Sequence, residues 1–187
     1  MIIKEVVEGK LPGIKLFKIG KFDDIRGYFT ELYSARDFEK VGFTEKFVQD
    51  NLSVSQKYVL RGMHYQLEPY GMGKLVCCLN GKIYDVVVDI RKGSPTYAQW
   101  EGFYLSSDEL CWLWIPIGFA HGFLSLSDNT TVLYKCTQFY YPEADRAISY
   151  CCPKINILWP ETPKIISEKD KNAPPLDKAE HNFVYEG

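Results

Sequence analysis

Four side chains that can do chemistry stand close together in Val59–Gln66: Arg61, His64, Tyr65 and Gln66. The stretch otherwise alternates as a β-strand does. Because successive side chains of a strand point to opposite faces of a sheet, this alternation predicts that Arg61 and His64 face opposite sides. A histidine that points into a dry β-barrel can act as base or acid, since its pKa is readily moved. The pattern equally fits a core or surface histidine with one hydrogen bond, and the residues alone leave both interpretations open.

Short strands must position these side chains. Turn-forming residues divide the chain into many short alternating stretches, a pattern typical of an antiparallel barrel or jelly roll. The Asn80-Gly81 pair is typical of a two-residue hairpin between successive strands. The predicted strands lie within 1–12, 13–19, 27–33, 47–53, 59–66, 74–79, 82–90, 97–105, 110–115 and 130–139, and the segment 116–123 turns and re-enters the sheet.

Helical signals are few. One helix is predicted over Ser34–Gly42, where Ser34 can cap the start, Asp37 falls at the third position of a capping box and Gly42 can end the helix. From Pro153 onward proline and charge increase, which predicts loops and short helical turns lying over the body.

Composition limits the kinds of protein this can be. The 187 residues suit a single domain, 1–187, with a sizeable core. A net charge of −2 without a basic stripe argues against nucleic-acid binding. A site with a few basic residues for a phosphorylated small molecule remains open.

The N-terminal residues and the cysteines indicate in which cellular compartment the protein works. The start turns polar at once and no apolar run approaches a membrane span, so we expect no signal peptide and no membrane partner. The six cysteines form two adjacent pairs, Cys77-Cys78 and Cys151-Cys152, plus Cys111 and Cys136. Since this is not zinc-site spacing, we expect reduced, mostly buried thiols in the cytoplasm.

Two segments resemble the cupin architecture, a double-stranded β-helix. Pro116-x-Gly118-x-x-His121 resembles the second cupin motif, but the place of the first motif's His-x-His reads His64-Tyr65-Gln66. A catalytic metal needs about three protein ligands in open geometry. We therefore predict an all-β, cupin-like jelly roll with short peripheral helices and a metal-free site; zinc or iron held with distant carboxylates is the alternative.

Further segments, in one order along the chain, carry a resemblance to a known family. They are Asp24-x-Arg26-Gly27-x-Phe29-x-Glu31, Phe47-Val48-Gln49-Asp50-Asn51, Leu60-Arg61-Gly62-Met63-His64-Tyr65-Gln66, Gly73-Lys74-Leu75-Val76, Asp85-Val86-Val87-Val88-Asp89-Ile90-Arg91, Gly93-Ser94-Pro95-Thr96, Ile115-Pro116-x-Gly118-Phe119-Ala120-His121-Gly122-Phe123, Tyr134-Lys135-Cys136-Thr137, Ile157-x-Trp159-Pro160 and Ile166-Ser167-Glu168-Lys169-Asp170. From about Gly13 to Leu176 the chain resembles the dTDP-4-dehydrorhamnose 3,5-epimerase family.

The resemblance implies an isomerase of dTDP-L-rhamnose biosynthesis. Such an enzyme inverts carbons 3 and 5 of dTDP-4-dehydro-6-deoxy-D-glucose and gives dTDP-4-dehydro-L-rhamnose. It uses no metal or organic cofactor, and it forms a homodimer in which N-terminal strands are exchanged. The dTDP-sugar is then the small-molecule partner.

The resemblance also implies catalytic roles. His64 matches the base and Asp170 its carboxylate partner, Tyr134 matches the acid on the opposite face, and Lys74 matches the cation that steadies the enolate oxygen. Because Asp170 is far along the chain, the tail is predicted to fold back over the barrel mouth. By pattern alone, Glu168–Lys171 is a solvated charge run.

Binding residues follow from the same matches. Arg61 resembles the diphosphate ligand, Arg26 and Glu31 resemble residues lent by a partner subunit, and His121 resembles a second active-site histidine that orients or supports the sugar. Residues matching the nucleotide and sugar contacts are Gln49, Asn51 and Tyr140.

Other functions remain open at this stage. Cys77-Cys78 replaces a basic residue frequent in the family, and Cys151-Cys152-Pro153 replaces an Asn/Asp-Asp-Pro segment. These departures bear on which sugar or nucleotide is accepted. The alternatives are a 3- or 5-mono-epimerase of another nucleotide-linked 4-keto-deoxysugar, a non-catalytic sugar-binding cupin, and a metal-dependent cupin oxygenase.

Overall fold

The computed structural model describes residues 2–187, which form short strands and two short helices. The helices are α1 (Ala35–Lys40) and α2 (Glu168–Lys171). The strands are β1 (Ile3–Glu8), β2 (Lys15–Ile19), β3 (Phe22–Asp24), β4 (Gly27–Phe29), β5 (Gln49–Ser55), β6 (Val59–Gln66), β7 (Lys74–Asn80), β8 (Lys82–Asp89), β9 (Trp100–Ser106), β10 (Cys111–Ile115), β11 (Phe119–Ser125), β12 (Thr130–Cys136), β13 (Asp145–Ala147) and β14 (Ile165–Ile166).

Two sheets face each other. The first has the order β1-β2-β10-β7-β12-β5, and the second has the order β13-β6-β11-β8-β9 with β14 added parallel to β6. Strands β3 and β4 form a separate hairpin. The other strand pairs are antiparallel, so the predicted all-β, cupin-like jelly roll is confirmed. No helix within residues 2–187 has the length and apolar character needed to cross a membrane.

Strand alternation divides the side chains between the space inside the two sheets and their outer faces. On β8, Val87 packs in the cluster between the sheets, whereas Val86 and Val88 pack on the outer face. Asp85 shares the inward side with Val87, because residues two apart on a strand point the same way. The same rule turns Lys74 of β7 inward, in line with Val76.

The outer faces are covered by different parts of the chain. Phe38 of α1 packs over Phe17 and Trp112 on the first sheet. The tail covers the second sheet, where Leu176 and Phe183 join the cluster that contains Val86. Burial of apolar side chains on these covered outer faces removes apolar area from water and fixes the strands that carry the inward polar side chains.

The turn at Gly81 differs from the prediction. Strands β7 and β8 do not pair, because β7 lies between β10 and β12 in the first sheet and β8 lies between β9 and β11 in the second. The predicted hairpin is therefore wrong. Gly81 has a positive φ of 80° and carries the chain from one sheet to the other.

The α1 helix is confirmed, but its predicted capping box is wrong. The side chain of Ser34 forms no capping hydrogen bond within residues 2–187, and Asp37 accepts the backbone N–H of Ile2 at 2.9 Å. The carboxylate of Asp37 therefore binds the backbone just before β1 and also accepts from Nζ of Lys40. Gly42, with a φ of +78°, follows the helix end as predicted.

The strand boundaries differ at several places. The strand predicted over 27–33 ends at Phe29, and the following segment leads into α1, where Tyr33 packs on Phe38. Strands β13 and β14 were not predicted, since each is very short and gains its backbone partners only from distant β6. All six cysteines are unpaired, and five of them are buried, so the predicted burial of most of the thiols is confirmed.

A β-bulge in β6 sets the directions of two polar side chains. His121 of β11 pairs with His64 of β6, and Phe123 pairs with Arg61. The paired positions are therefore two residues apart on β11 but three residues apart on β6, so β6 contains one additional residue. The additional residue reverses the alternation, so Arg61 and His64 line the same cavity and the prediction of opposite faces is wrong. Gly62 lies in the bulge with a φ of 144°, and a Cβ there would lie 2.5 Å from the Cα of Gly122. Only glycine fits this close approach.

Candidate active site

A cavity of about 800 Å³ lies between the two sheets at one end of the jelly roll. This volume is within the range of small-molecule sites, which is about 300–1,000 Å³. Both sheets and the tail contribute to its wall. The polar residues that line it include Asn51, Ser53, Ser55, Arg61, His64, Gln66, Lys74, His121, Tyr134, Tyr140, Asp145, Ser167, Lys169 and Asp170.

His64 of β6 and Asp170 of α2 form a close pair on one wall. The Nε2 atom of His64 lies 2.6 Å from Oδ1 of Asp170, and the second carboxylate oxygen accepts the backbone N–H of Gly62 at 3.3 Å. The side chain of His64 is 32% exposed and that of Asp170 is 4% exposed. The histidine therefore reaches the cavity while its partner stays buried behind it. The predicted return of the tail to the barrel mouth is confirmed.

Local structure holds Asp170 in place as a carboxylate. Ser167 caps α2, and its Oγ accepts the backbone N–H of Asp170 at 3.1 Å. Burial acts to raise the pKa of Asp170, but hydrogen bonding and charge from His64, the Gly62 N–H and Ser167 together outweigh burial. The net pKa of Asp170 is below its ordinary value, so the group is ionised at neutral pH.

Tyr134 and Lys74 project into the cavity from the opposite sheet. Tyr134 lies on β12, where its phenolic oxygen is 3.2 Å from the Oγ of Ser53 on β5. Burial raises the pKa of Tyr134, so its proton is retained at neutral pH.

Lys74, on the neighbouring strand β7, is a partly buried cation. Burial lowers the pKa of Lys74 below its ordinary value of 10.5. In the part of the chain that the structure describes, its Nζ has no hydrogen-bond or ion-pair partner. A cation in this position is available to a negative oxygen in the cavity.

His121 pairs with Asp85 beside His64. The Nε2 atom of His121 lies 2.8 Å and 3.0 Å from the two carboxylate oxygens of Asp85, and both residues are buried. Burial lowers the pKa of His121 and raises the pKa of Asp85, so charge on either group is disfavoured. The imidazole ring also contacts the Tyr134 ring edge-on, with centroids 6.2 Å apart. His121 thus belongs to the same sheet as His64, and its ring contacts Tyr134 of the opposite sheet.

The residues predicted to bind the nucleotide end of the substrate lie at or near the rim of the cavity. Arg61 donates from Nε to the Oγ of Ser55 at 3.1 Å. Tyr140 lines the cavity and donates its hydroxyl to Asp145 at 3.1 Å. Asn51 lines it as well, whereas Gln49 lies behind, donating to Asn51 at 3.0 Å and accepting the backbone N–H of Tyr140.

Arg26 and Glu31 lie outside this cavity. Arg26 is on the β3–β4 hairpin, is 84% exposed and binds its neighbour Asp24 from Nε at 3.1 Å. Glu31 is exposed in the segment that leads to α1. Within one chain the structure does not bring these two residues to His64.

Five residues at the site carry no role in the prediction from sequence: Asp85, Ser53, Ser55, Asp145 and Lys169. Asp85 offered a signal, because a carboxylate within a buried run of valines must have a partner. Lys169 and Asp145 form an ion pair at the cavity mouth, which joins α2 to β13. The remaining contacts depend on pairing between distant strands, which no local pattern reveals.

Across residues 2–187, no group of three or more His, Cys, Asp or Glu side chains is arranged to hold a metal ion. The metal-free site stays a prediction that solution analysis can test.

A family model and the sequences of known proteins match this chain to the same family. A family model described as dTDP-4-dehydrorhamnose 3,5-epimerase matches residues 8–178. A protein of Shigella flexneri named dTDP-4-dehydrorhamnose 3,5-epimerase is 48% identical over 168 residues, which cover 89% of this chain and 93% of that protein.

Solved structures extend this similarity to the fold. The dTDP-6-deoxy-D-glucose-3,5-epimerase of Legionella pneumophila Philadelphia 1, in complex with dTDP-4-keto-L-rhamnose, has a TM-score of 0.88 and 43% identity, with 93% of each chain covered. A 3′-monoepimerase of Streptomyces bikiniensis, in complex with dTDP-quinovose, has a TM-score of 0.85 and 31% identity, covering 90% of this chain and 86% of that one.

Proposed function

The chain belongs to the dTDP-4-dehydrorhamnose 3,5-epimerase family, and on that premise we propose that His64 and Tyr134 exchange protons with the sugar from opposite walls of the cavity. The protein is an isomerase that inverts carbons 3 and 5 of dTDP-4-dehydro-6-deoxy-D-glucose and gives dTDP-4-dehydro-L-rhamnose, a step in dTDP-L-rhamnose biosynthesis.

The reaction needs three chemical groups. Both reacting carbons lie beside the 4-keto group, so removal of a proton gives an enolate. Return of a proton to the opposite face of the carbon inverts it. The enzyme must therefore supply a base on one face, an acid on the other and a positive group near the ketone oxygen.

His64 is the proposed base. Its Nε2 faces Asp170 at 2.6 Å, which leaves Nδ1 to take the proton from carbon. An ionised carboxylate on the far nitrogen fixes the tautomer and stabilises the imidazolium that forms. This pair, with Tyr134 on the opposite sheet, is the observation that carries the proposal.

Tyr134 and Lys74 are the proposed acid and enolate stabiliser. Tyr134 retains its proton at neutral pH because burial raises its pKa, so it can donate to the carbon face turned away from His64. Lys74 brings a positive charge into a partly buried site, where its attraction for a developing enolate oxygen is stronger than in water. His121 lies beside His64 on the neighbouring strand and contacts the Tyr134 ring, and its proposed role is to orient the sugar.

The nucleotide end of the substrate is assigned to the rim. Arg61 provides a planar, permanently charged guanidinium that suits a diphosphate. Tyr140 offers an aromatic face, and Asn51 offers an amide that can read polar edges of sugar or base. Gln49 supports both through its two hydrogen bonds.

A homodimer with exchanged N-terminal strands is part of the proposal. The β3–β4 hairpin exposes Phe22, Ile25 and Phe29, and the edge strand β5 exposes Leu52 and Val54. Exposed apolar surface of this kind is typical of subunit interfaces. Exchange of the hairpin would bring Arg26 and Glu31 to the partner's cavity. Sedimentation of the purified protein tests the dimer, and an Arg26→Ala variant with impaired substrate binding would support the exchange.

The test of the reaction is turnover of dTDP-4-dehydro-6-deoxy-D-glucose in deuterated water, followed by mass spectrometry and proton NMR. Deuterium at both carbon 3 and carbon 5 is expected. Label at one carbon would indicate a mono-epimerase, and label at neither would indicate another nucleotide sugar or a binding protein.

Metal analysis of the same sample tests the expected lack of a metal cofactor, which stoichiometric iron would contradict. Cytoplasmic location is proposed from the six free thiols.

A further inference from the structure

One face of β5 supplies a row of polar side chains to the cavity. Asn51, Ser53 and Ser55 line it, and the side chains of Leu52 and Val54, which alternate with them along the strand, are largely exposed. The Oγ of Ser53 lies 3.2 Å from the phenolic oxygen of Tyr134, the proposed acid.

Two inversions require two protons from the acid. Each inversion moves one proton from carbon to His64 and one proton from Tyr134 to carbon. It therefore leaves His64 protonated and Tyr134 as a phenolate. Before the second carbon can react, His64 must release its proton and the phenolate must gain one.

The surroundings of Tyr134 restrict where that proton comes from. Burial opposes a charged phenolate, so a donor facing its oxygen is needed for the charge to form and to be discharged. Among residues 2–187, the polar group within hydrogen-bond distance of the phenolic oxygen is Ser53 Oγ. When Tyr134 directs its own proton toward the substrate, its oxygen accepts the serine hydroxyl.

We propose that Ser53 reloads Tyr134 between the two inversions. Its O–H bond breaks as the O–H bond of Tyr134 forms, and a water molecule in the cavity restores the serine hydroxyl. The hydroxide left by that water is neutralised by the proton that His64 releases, so no net charge accumulates. This inference rests on the proposed function, and it makes Ser53 a positioning and relay residue that acts through Tyr134.

Ser55 offers a matched control. It is the next cavity-facing residue of the same strand and also carries a hydroxyl, but its Oγ accepts from Arg61 rather than contacting Tyr134. Removing it is expected to weaken substrate binding and raise KM. It is not expected to change the proportion of singly inverted sugar.

The experiment follows the first turnovers of the wild-type protein and of Ser53→Ala, Ser53→Thr and Ser55→Ala in deuterated water, with rapid quenching and NMR of the sugars. Ser53→Ala is expected to accumulate sugar inverted and labelled at one carbon only, and its kcat is expected to fall about 10–100-fold, since water replaces a positioned relay poorly. Ser53→Thr keeps the hydroxyl and should restore the wild-type proportion. Thermal melts of all variants check that the fold is intact.

The outcomes separate this inference from the function on which it rests. A Ser53→Ala protein with the wild-type rate and proportion of singly inverted sugar would overturn the relay and leave the epimerase function standing. Loss of activity in Ser53→Ala without singly inverted sugar would also overturn it. A wild-type protein that labels neither carbon would remove both.

Discussion

His64 Nε2 and Asp170 Oδ1 lie 2.6 Å apart, although 106 residues separate them in the sequence. The contact joins a strand inside the jelly roll to a short helix of the tail. Because Asp170 also accepts the Gly62 N–H, the tail fixes both the base and the bulge beside it.

Replacing Asp170 by asparagine should preserve the shape of this contact and remove its charge. The neutral amide neither fixes the productive tautomer nor stabilises the imidazolium, so kcat is expected to fall about 10²–10⁴-fold with KM little changed. Asp177→Asn changes an exposed tail carboxylate that pairs with Lys154 and serves as the control. Steady-state kinetics check this, and a full-rate Asp170→Asn enzyme would contradict the pairing.

Lys74 should limit activity at alkaline pH. Burial lowers its pKa below 10.5, so its positive charge is lost as pH rises through that lowered value. The alkaline limb of the kcat–pH profile is therefore expected below pH 10.5. Lys74→Met should lower kcat at pH values below the lowered pKa, where the wild-type lysine is charged, whereas Lys46→Met changes an exposed lysine outside the cavity and should not. A Lys74→Met enzyme with an unchanged kcat would remove the proposed enolate contact.

Arg61 should affect binding more than chemistry. Loss of its charged hydrogen bonds to the diphosphate is expected to cost about 1.5–3 kcal/mol, or roughly a 10–100-fold increase in KM, with kcat nearly unchanged. Arg36→Ala alters an exposed arginine on α1 as the control. If KM stayed constant and kcat fell, Arg61 would act on the reacting sugar instead.

Protonation of the buried carboxylate of Asp89 should lower the free energy of unfolding at acid pH. Burial acts to raise its pKa, but hydrogen bonds from Arg91, Ser94 and Thr96 outweigh burial and the net pKa is lowered. Its stabilising contribution is therefore complete above the unfolded-state pKa of about 3.9 and is lost as pH falls through the lower folded-state value. Asp89→Asn should lose about 3–5 kcal/mol of unfolding free energy at neutral pH and less at acid pH. Denaturant melts at several pH values measure this, and an equal loss at every pH would contradict it.

Local pattern was enough for much of the fold. Alternation and turn residues predicted most strands, including Lys82–Asp89, and the helix near Phe38. The same signals failed at Gly81, because a turn residue reports a change of direction and not which sheet the next strand joins. They failed at Gly62 as well, because the bulge depends on the spacing of the opposite strand.

The site was only partly visible in the residues themselves. His64 stood out by type and position, but the polar tail around Asp170 gave no local reason to expect a contact with β6. That expectation came from the family resemblance. The contacts of Asp85 with His121 and of Ser53 with Tyr134 depend on strand register, which a sequence without its partners cannot reveal.

The measurement that tests the two-wall account most directly is deuterium exchange into dTDP-4-dehydro-6-deoxy-D-glucose by His64→Asn and Tyr134→Phe. Without its acid, Tyr134→Phe should still let His64 remove and return protons on one face. Deuterium should therefore enter the starting sugar with its configuration unchanged, while product formation falls about 10²–10⁴-fold. His64→Asn should lose both exchange and product. Wild-type product formation by Tyr134→Phe, or exchange by His64→Asn, would contradict a base on one wall and an acid on the other.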